Sequence, residues 1–210
     1  MERKFILTDK FVINSFGIKL FQIKCTKSFK YAQKGDFGGY VEKEGNLDQE
    51  NDAWVSGNAW VSGNAWVSGD AWVSGDAWVS GDAWVSGDAR VSGNAWVSGN
   101  ARVSGNARVS GNAWVSGNAR VSGNAWVSGN ADIENDNEHC GFDGFGSCNR
   151  HTHAYMTKEK KVEIICGCFR GSIEEFEKKV EETHSGTVYE KQYKSIINVI
   201  KIKFGLTDFT

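Results

Sequence analysis

The segment Ala53-Trp-Val-Ser-Gly-Asn58-Ala-Trp-Val-Ser-Gly-Asn64 begins an array of thirteen near-identical hexapeptides that continues to residue 130. Each copy reads Ala-Trp/Arg-Val-Ser-Gly-Asn/Asp. A fixed short period is the signature of a solenoid, in which one copy cannot bury a core alone and stability comes from stacked neighbours. The array therefore decides the fold, whatever the local propensities of the flanking segments.

Side chains alternate within each copy. Ala59 and Val61 are two residues apart, so in a strand they share one side while Trp60 between them faces the other. Ser-Gly-Asn then turns the chain, because Gly accepts positive φ angles and Asn or Asp tolerates left-handed geometry. We therefore expect a thin core of Val and Ala, with every Trp and Arg at the variable position pointing outward.

The repeat resembles the left-handed hexapeptide β-helix of bacterial acyltransferases, in which Val takes the inward corner position and Ala the small inward one. The resemblance implies a mainly β, left-handed, three-sided β-helix with three hexapeptides per coil. Thirteen copies then make a little over four coils, or roughly 20 Å of rod at about 4.8 Å per coil. The left hand comes from the resemblance, since crossovers between parallel strands are usually right-handed.

The segment before the array is predicted to lead into the rod. Residues 1–52 are predicted to be an N-terminal β lead-in with strands near 5–7, 11–13 and 18–25. Counting back in sixes from Asp52 predicts that the register begins at Asn46, with Leu47 at the inward Ala position. The rod is expected over residues 53–136. The degraded copy at 131–136 keeps apolar residues inside but carries charge outside, as the end of a rod should.

Residues 137–210 are predicted to be a C-terminal α/β cap or oligomerisation module. Strands are expected at Met156 and at 162–166. A capping box from Ser172 to Glu175 begins a helix that runs to about His184. A stripe of aromatic and aliphatic residues predicts a second helix from about 189 to 204.

Two further stretches resemble uncharacterised phage, prophage and bacterial hexapeptide proteins, some of them labelled acetyltransferases or polymer-forming proteins. The entry stretch is Lys34-Gly-Asp-Phe-Gly-Gly-Tyr-Val-Glu42 followed by Asn46-Leu47 and Asp52-Ala-Trp-Val55. The tail stretch is Cys166-Gly-Cys-Phe-Arg-Gly-Ser-Ile-Glu-Glu-Phe-Glu177 with Val180-Glu-Glu-Thr-His184 and Tyr189-x3-Tyr193. The resemblance implies a phage- or prophage-encoded protein of binding or assembly function.

The composition of the chain indicates its cellular compartment. The 210 residues carry a net charge of −2, five cysteines and no proline. An odd number of cysteines, without an apolar run of signal-peptide length, predicts reduced thiols in the cytoplasm of a bacterial host. No stretch reaches the length of a membrane span, so we expect no membrane partner.

Residues eighteen apart should stack if three copies make one coil, which defines three outward faces. The first face carries Trp54, Trp72, Arg90, Arg108 and Trp126; the second carries Trp60, Trp78, Trp96, Trp114 and Asp132; the third carries Trp66, Trp84, Arg102 and Arg120. Four Trp in a row, even half-exposed, approach the roughly 300–600 Å² of the largest apolar patches on monomers. We therefore predict a contact surface for a second copy or a protein partner, formed by the second face together with Trp72, Arg90 and Arg108.

A plainer interpretation stays open. Stacked Trp rings and Trp–Arg pairs such as Trp72 with Arg90 stabilise neighbouring coils by themselves. The four Asp of the corner positions, at 70, 76, 82 and 88, fall in consecutive copies, which indicates recent duplication. Duplication copies an outward Trp whether or not it is used. Nucleic acid is not an expected partner, because residues 52–130 hold four Arg, no Lys and five Asp.

Catalysis and metal binding have weaker support. The acyltransferase resemblance implies a catalytic His near a subunit boundary, but the array has no His, and the four histidines are His139, His151, His153 and His184. An acyltransferase, the alternative function, needs a pocket that converges on His139 or His153. The candidate metal ligands are Cys148, His151, Cys166 and Cys168, whose spacing matches no standard zinc site. We expect no catalytic residue, no metal and no cofactor.

Overall fold

The computed structural model describes residues 3–206, in which a β-solenoid lies between a lead-in and a C-terminal module. The lead-in strands are β1 (Phe5–Ile13), β2 (Lys19–Cys25) and β3 (Phe37–Val41). The array strands are β4 (Trp54–Val55), β5 (Trp60–Val61), β6 (Trp66–Val67), β7 (Trp72–Val73), β8 (Trp78–Val79), β9 (Trp84–Val85), β10 (Arg90–Val91), β11 (Trp96–Val97), β12 (Arg102–Val103), β13 (Arg108–Val109), β14 (Trp114–Val115), β15 (Arg120–Val121), β16 (Trp126–Val127) and β17 (Asp132–Ile133). The module has β18 (His139–Phe145), β19 (Arg150–Met156), β20 (Val162–Cys166), β21 (Phe169–Ser172), α1 (Ile173–His184) and α2 (Val188–Lys203).

Array strands pair in parallel with the strands eighteen residues away. Trp78 lies opposite Trp60 on one side and Trp96 on the other. The strands fall into three ladders, in the orders β16-β13-β10-β7-β4, β15-β12-β9-β6 and β3-β5-β8-β11-β14-β17, the last continued by β2 and β1. The solenoid thus makes about five turns. The predicted pairing of residues eighteen apart is confirmed.

The core is as thin as the alternation predicts. Every Ala and Val of the thirteen copies is buried, with at most 4% of any of them exposed. Trp54 keeps the outward position of its strand, in register with Trp72, but it is only 2% exposed, which the sequence did not predict. Strand β3 lies against its indole at Gly38, and the ring of Phe29 packs edge-on with its centroid 5.3 Å away. The lead-in therefore covers the first Trp of the first face.

The expected register of the entry is also wrong, by two residues. Leu47 pairs with Val67, so it occupies the Val position of the coil rather than the Ala position. Asn46 is fully buried, and its amide donates to the carbonyl oxygens of Gly63 (3.1 Å) and Ala65 (2.8 Å). The Asn46 amide thus stands where a preceding coil would have supplied backbone N–H groups. It satisfies two carbonyl oxygens that would otherwise be buried without a donor.

The C-terminal module is a four-stranded antiparallel sheet, β18 to β21 in chain order, covered by both helices. The predicted capping box is confirmed: Ser172 Oγ accepts from the Glu175 N–H, and the Glu175 carboxylate accepts from the Ser172 N–H. Strands β18 and β21 were not predicted; β18 contains Gly141 and Gly144, and Gly is depleted in strands. Among residues 3–206, neither helix has both the length and the apolar run needed to span a membrane.

Deletions of different length should show whether the structural unit is the eighteen-residue coil or the single hexapeptide. Removing residues 95–112 takes out eighteen residues and keeps every remaining strand on its own ladder. Removing only 107–112 moves all later strands to a neighbouring ladder and misplaces the C-terminal module. We expect the first variant to retain one cooperative thermal transition at a lower Tm, and the second to lose far more stability. Equal Tm values for the two variants would contradict the eighteen-residue coil.

Gly38 provides a test of the entry packing. A Cβ there would lie 2.5 Å from Ile23 Cγ1, 2.6 Å from the Val55 carbonyl oxygen and 2.7 Å from the Trp54 ring. Since a backbone carbonyl cannot swing away, Gly38→Ala should lower the free energy of unfolding by about 1–3 kcal/mol. Gly45→Ala is the matched control, because nothing lies within 4 Å of its Cβ position. Denaturant unfolding measures both, and similar values would show that β3 does not pack as described.

Candidate contact surfaces and the histidine cluster

The second face is a continuous column of indole rings. Successive centroids from Trp60 through Trp78 and Trp96 to Trp114 are 5.8, 4.8 and 5.2 Å apart. Trp78 and Trp96 stack almost parallel, at 4°. Their indole N–H groups donate to serine hydroxyls one coil below, at 3.3 Å in both cases. Because the indole N–H groups of Trp78 and Trp96 are satisfied within the rod, the outward surface of these two rings is apolar.

Both flanking segments reach onto the second face. Phe16, in the turn between β1 and β2, packs on Trp78 with the ring centroids 5.5 Å apart. The Lys158 Nζ lies 4.1 Å from the centroid of the Trp114 ring. Trp60, Trp78 and Trp96 are half-buried, whereas Trp114 is 43% exposed. The exposed apolar surface is therefore smaller than four free rings and is greatest near Trp114, beside a groove of about 250 Å³.

The first face combines aromatic and cationic side chains. Tyr31 of the lead-in stacks on Trp72 with the ring centroids 5.5 Å apart and the planes at 17°. The Arg90 guanidinium lies 6.0 Å from the Trp72 ring, which confirms the predicted cation–π pair. Arg90 and Arg108 are neighbours on the ladder and line a groove of about 340 Å³ between Trp72 and Trp126. This groove holds the predicted surface residues of the first face.

The third face was not predicted as a contact surface, yet it is the most open of the three. Trp66 and Trp84 stack at 5.2 Å and are 42% and 38% exposed. The Arg102 guanidinium lies 5.7 Å from the Trp84 ring, and Arg102 and Arg120 are exposed neighbours. Within residues 3–206, no aromatic or cation–π contact joins this face to the lead-in or to the C-terminal module.

Lys30 and Tyr31 of the lead-in were missed in the sequence, because nothing in it signals that they lie along the rod. Lys30 Nζ is 3.5 Å from an Asp70 carboxylate oxygen and 3.7 Å from one of Asp88. Tyr31 donates its hydroxyl to the Asp70 carbonyl at 3.1 Å. The two aspartates belong to adjacent coils of one corner, so a cation between them offsets their mutual repulsion.

Three histidines meet where the module closes the last coil. The Trp126 N–H, which has no further coil above it, donates to His153 Nδ1 at 3.1 Å. The neutral His153 therefore carries its proton on Nε2, 3.1 Å from His139 Nδ1, and donates it there. His151 lies edge-on to His153 at 5.5 Å, and its Nδ1 is 2.8 Å from an Asp143 oxygen. The imidazole of His153 thus replaces the missing backbone acceptor.

The electrostatics of the cluster follow from burial. His153 is 1% exposed, and desolvation, together with the nearby His139 and His151, lowers its pKa from 6.5 to about 3. Desolvation also lowers the pKa of His139. A groove of about 270 Å³ beside Trp126 is lined in part by His151 and His153. Both ring nitrogens of His153 are engaged, so that imidazole has no free lone pair to act as a general base.

The candidate metal ligands do not converge. Cys148, Cys166 and Cys168 line one pocket of about 270 Å³ in the module, but His151 lies elsewhere, against Asp143. Cys166 and Cys168 do not share a strand face: β20 ends at Cys166, the chain turns at Gly167 (φ 61°), and Cys168 is exposed. In the part of the chain that the structure describes, no group of three His, Cys, Asp or Glu residues is placed to hold a metal ion.

A comparison with known families agrees with this architecture. A family model described as the YdcK beta solenoid repeat matches residues 53–69, 83–99, 101–117 and 113–129. All four segments lie inside the array, and together they cover less than half of the chain. Together with the three ladders, the match shows that the chain is a β-solenoid repeat protein. No curated protein matches it.

Acid should weaken the junction between rod and module. A His whose pKa is lowered by folding contributes its full stability above its ordinary pKa of 6.5 and loses it as the pH falls towards about 3. Protonating His153 removes the acceptor for the Trp126 N–H and puts a buried charge beside two other imidazoles. This group should lower the free energy of unfolding by about 1.4 kcal/mol per pH unit across that window.

The variant His153→Gln keeps an acceptor for Trp126 without a titrating ring, so its unfolding free energy should depend less on pH below 6.5. His184→Gln is the control, because His184 stacks on Tyr193 inside the module and not on the rod. Denaturant unfolding as a function of pH measures both variants. A parental slope in His153→Gln would mean that the His153 contact does not hold the rod end.

Proposed function

We propose that this chain is a non-enzymatic scaffold that binds a protein partner, or further copies of itself, through the outward faces of its solenoid. The proposal includes the left-handed, triangular form of the hexapeptide β-helix. Pairing at eighteen residues, three ladders and inward Ala and Val support that form. The left hand is taken from the resemblance of the repeat to the hexapeptide β-helix.

The observation that carries the proposal is the aromatic column of the second face, whose end near Trp114 is open to solvent. Stacking of coils does not by itself require Trp, because the other two ladders accept Arg at four variable positions. Trp114, Trp66 and Trp84 keep about two-fifths of their surface exposed. Exposed aromatic rings on a rigid, flat surface are typical of residues that carry interface energy.

The histidine cluster favours a structural role over catalysis. His153 is the best-placed histidine beside the rod, but it accepts from the Trp126 N–H and faces His139. His139 lies behind it, with its Nε2 buried and 3.9 Å from an Asp136 oxygen. The acyltransferase alternative would need one of these rings to turn towards a substrate and give up a contact that closes the solenoid. We therefore propose contact, not acyl transfer, as the function.

The double variant Trp78→Arg/Trp96→Arg tests the second face. Arg already occupies equivalent positions in other copies, so the fold should survive, which far-UV circular dichroism checks. Binding through this face should weaken by at least about tenfold, since buried aromatic anchors dominate interface energies. Light scattering measures the particle mass, and immobilised parent and variant show which host proteins are retained.

The control for that variant is Trp78→Phe/Trp96→Phe, which keeps an aromatic column without the indole N–H. We expect the Phe variant to retain the assembly and the bound proteins of the parent. If the Arg variant keeps an unchanged particle mass and retains the same proteins, the second face serves only to stack coils, and the proposed contact role is wrong.

A further inference from the structure

The third face differs from the other two in the order of its side chains. Along β6, β9, β12 and β15 it reads Trp66, Trp84, Arg102 and Arg120. The two aromatic rows thus occupy the N-terminal half of the ladder, and the two cationic rows the C-terminal half. Reversing the order gives Arg, Arg, Trp, Trp. Each Trp row of the face is therefore matched by an Arg row of the reversed face, and each Arg row by a Trp row. The second face has no Arg, and the open rows of the first face read Trp-Arg-Arg-Trp, which is not its own complement.

The corners beside the third face carry a matching separation of charge. The residues that flank the Trp rows are Asn64, Asp82, Asp70 and Asp88, and those that flank the Arg rows are Asn100, Asn118, Asn106 and Asn124. All the acidic corner residues of this face therefore lie in its aromatic half. Lys30 bridges two of them but leaves their side chains 43% and 60% exposed, and the Asp82 carboxylate accepts from the Asn64 amide. Among the array residues of this face, one half is thus negative and aromatic and the other is positive. The module adds two carboxylates at the C-terminal end, where Asp136 accepts from the Arg120 N–H and Asp143 from the Asn124 amide.

We propose that the third face pairs with the third face of a second copy of this chain, with the two rods antiparallel. The twofold axis lies in the interface, parallel to the strands, between the rows of Trp84 and Arg102. Trp84 then faces Arg102 of the partner subunit, and Trp66 faces Arg120 of the partner subunit. Each contact occurs twice, as an isologous interface requires. A guanidinium against the exposed part of an indole ring is a favourable cation–π contact.

Charge selects the antiparallel arrangement over the parallel one. In a parallel pair, whose twofold axis runs along the rods, Arg102 would face Arg102 of the partner subunit, and Asp82 would face Asp88 of the partner subunit. In the antiparallel pair, Asp82 faces Asn100 of the partner subunit, whose amide can donate to the carboxylate. The partner guanidinium that covers Trp84 comes close to Asp82 and Asp88, the corner residues on either side of that row. Opposite charges therefore meet, and like charges do not.

The size of the surface sets the strength of the pair. Four rows at about 4.8 Å cover a length of roughly 20 Å, which is small for a protein interface. Such a contact belongs among weak, transient interfaces, so we expect a dimer whose population rises with protein concentration. Within residues 3–206, the lead-in and the module contact this face at its corners and its C-terminal end, and they make no aromatic or cation–π contact with its Trp and Arg side chains. The inference rests on the proposed assembly function, but it uses a different face.

Two double variants of identical composition test the order of the rows. Trp84→Arg/Arg102→Trp changes the order to Trp-Arg-Trp-Arg, which is still complementary to itself in the antiparallel sense. Trp84→Arg/Arg120→Trp changes it to Trp-Arg-Arg-Trp, which places Arg on Arg at the centre. The solenoid accepts this second order on its first face, so both variants should fold. Circular dichroism and thermal unfolding check this.

Sedimentation velocity over a range of concentrations measures the dimer. We expect the parent and Trp84→Arg/Arg102→Trp to dimerise with similar Kd values, and Trp84→Arg/Arg120→Trp to bind itself at least about tenfold more weakly. A monomeric parent at every concentration overturns the inference. Equal Kd values for all three chains, or equal weakening in both variants, also overturn it, because neither depends on antiparallel order.

The second-face variant Trp78→Arg/Trp96→Arg separates this inference from the proposed function. If the third face forms the dimer, that variant should dimerise like the parent even where it loses a bound partner protein. If third-face order has no effect while the second-face variant loses assembly, the proposed function stands and the third-face dimer is wrong. If neither face affects mass or partner binding, both are wrong.

Discussion

The structure depends on backbone hydrogen bonds between coils that are eighteen residues apart. They can form only if each corner approaches the next one closely, and Gly75 illustrates the limit: its φ is 71°, and a Cβ there would lie 3.0 Å from the Gly93 nitrogen and 3.1 Å from its oxygen. Glycine is thus required twice, for the angle and for the space. Ala and Val fill the narrow interior, which leaves the variable Trp/Arg and Asn/Asp positions free to determine the surface.

Stacked coils leave open ends, and this chain closes both with polar side chains as well as with strands. At the entry, the buried Asn46 amide donates to carbonyl oxygens of the first complete coil. At the exit, the His153 imidazole accepts the last N–H of its ladder, from Trp126. Buried backbone groups need partners, so each side chain stands where a further coil would have supplied one. The histidine is titratable, whereas the asparagine is not, so we expect acid to weaken the exit and not the entry.

The hexapeptide period predicts the solenoid, its eighteen-residue pairing, its core and the membership of its faces, because a repeat turns local alternation into a global register. It does not predict contacts that join unrelated parts of the chain. Examples are Trp54 beneath the lead-in, Lys30 between two corner aspartates, and His153 on the last coil. Strand β18 was not predicted because its glycines disfavour a strand in the sequence. In the structure, pairing with β19 and packing against α2 stabilise it. The period also treats the three faces alike, whereas aromatic and cationic side chains of the flanking segments pack on the Trp rings of the first and second faces and not on those of the third.

The proposed contact role would explain both the exposed Trp rings and the unequal distribution of Asp and Arg along the rod. Hydroxyl-radical footprinting of dilute and concentrated protein tests this most directly. Tryptic cleavage and fragmentation place the oxidation on individual Trp side chains. If the third faces pair, Trp66 and Trp84 should be oxidised less in the concentrated sample than in the dilute one. The buried Trp54 should resist oxidation equally in both samples. Equal oxidation of Trp66 and Trp84 at all concentrations would contradict it.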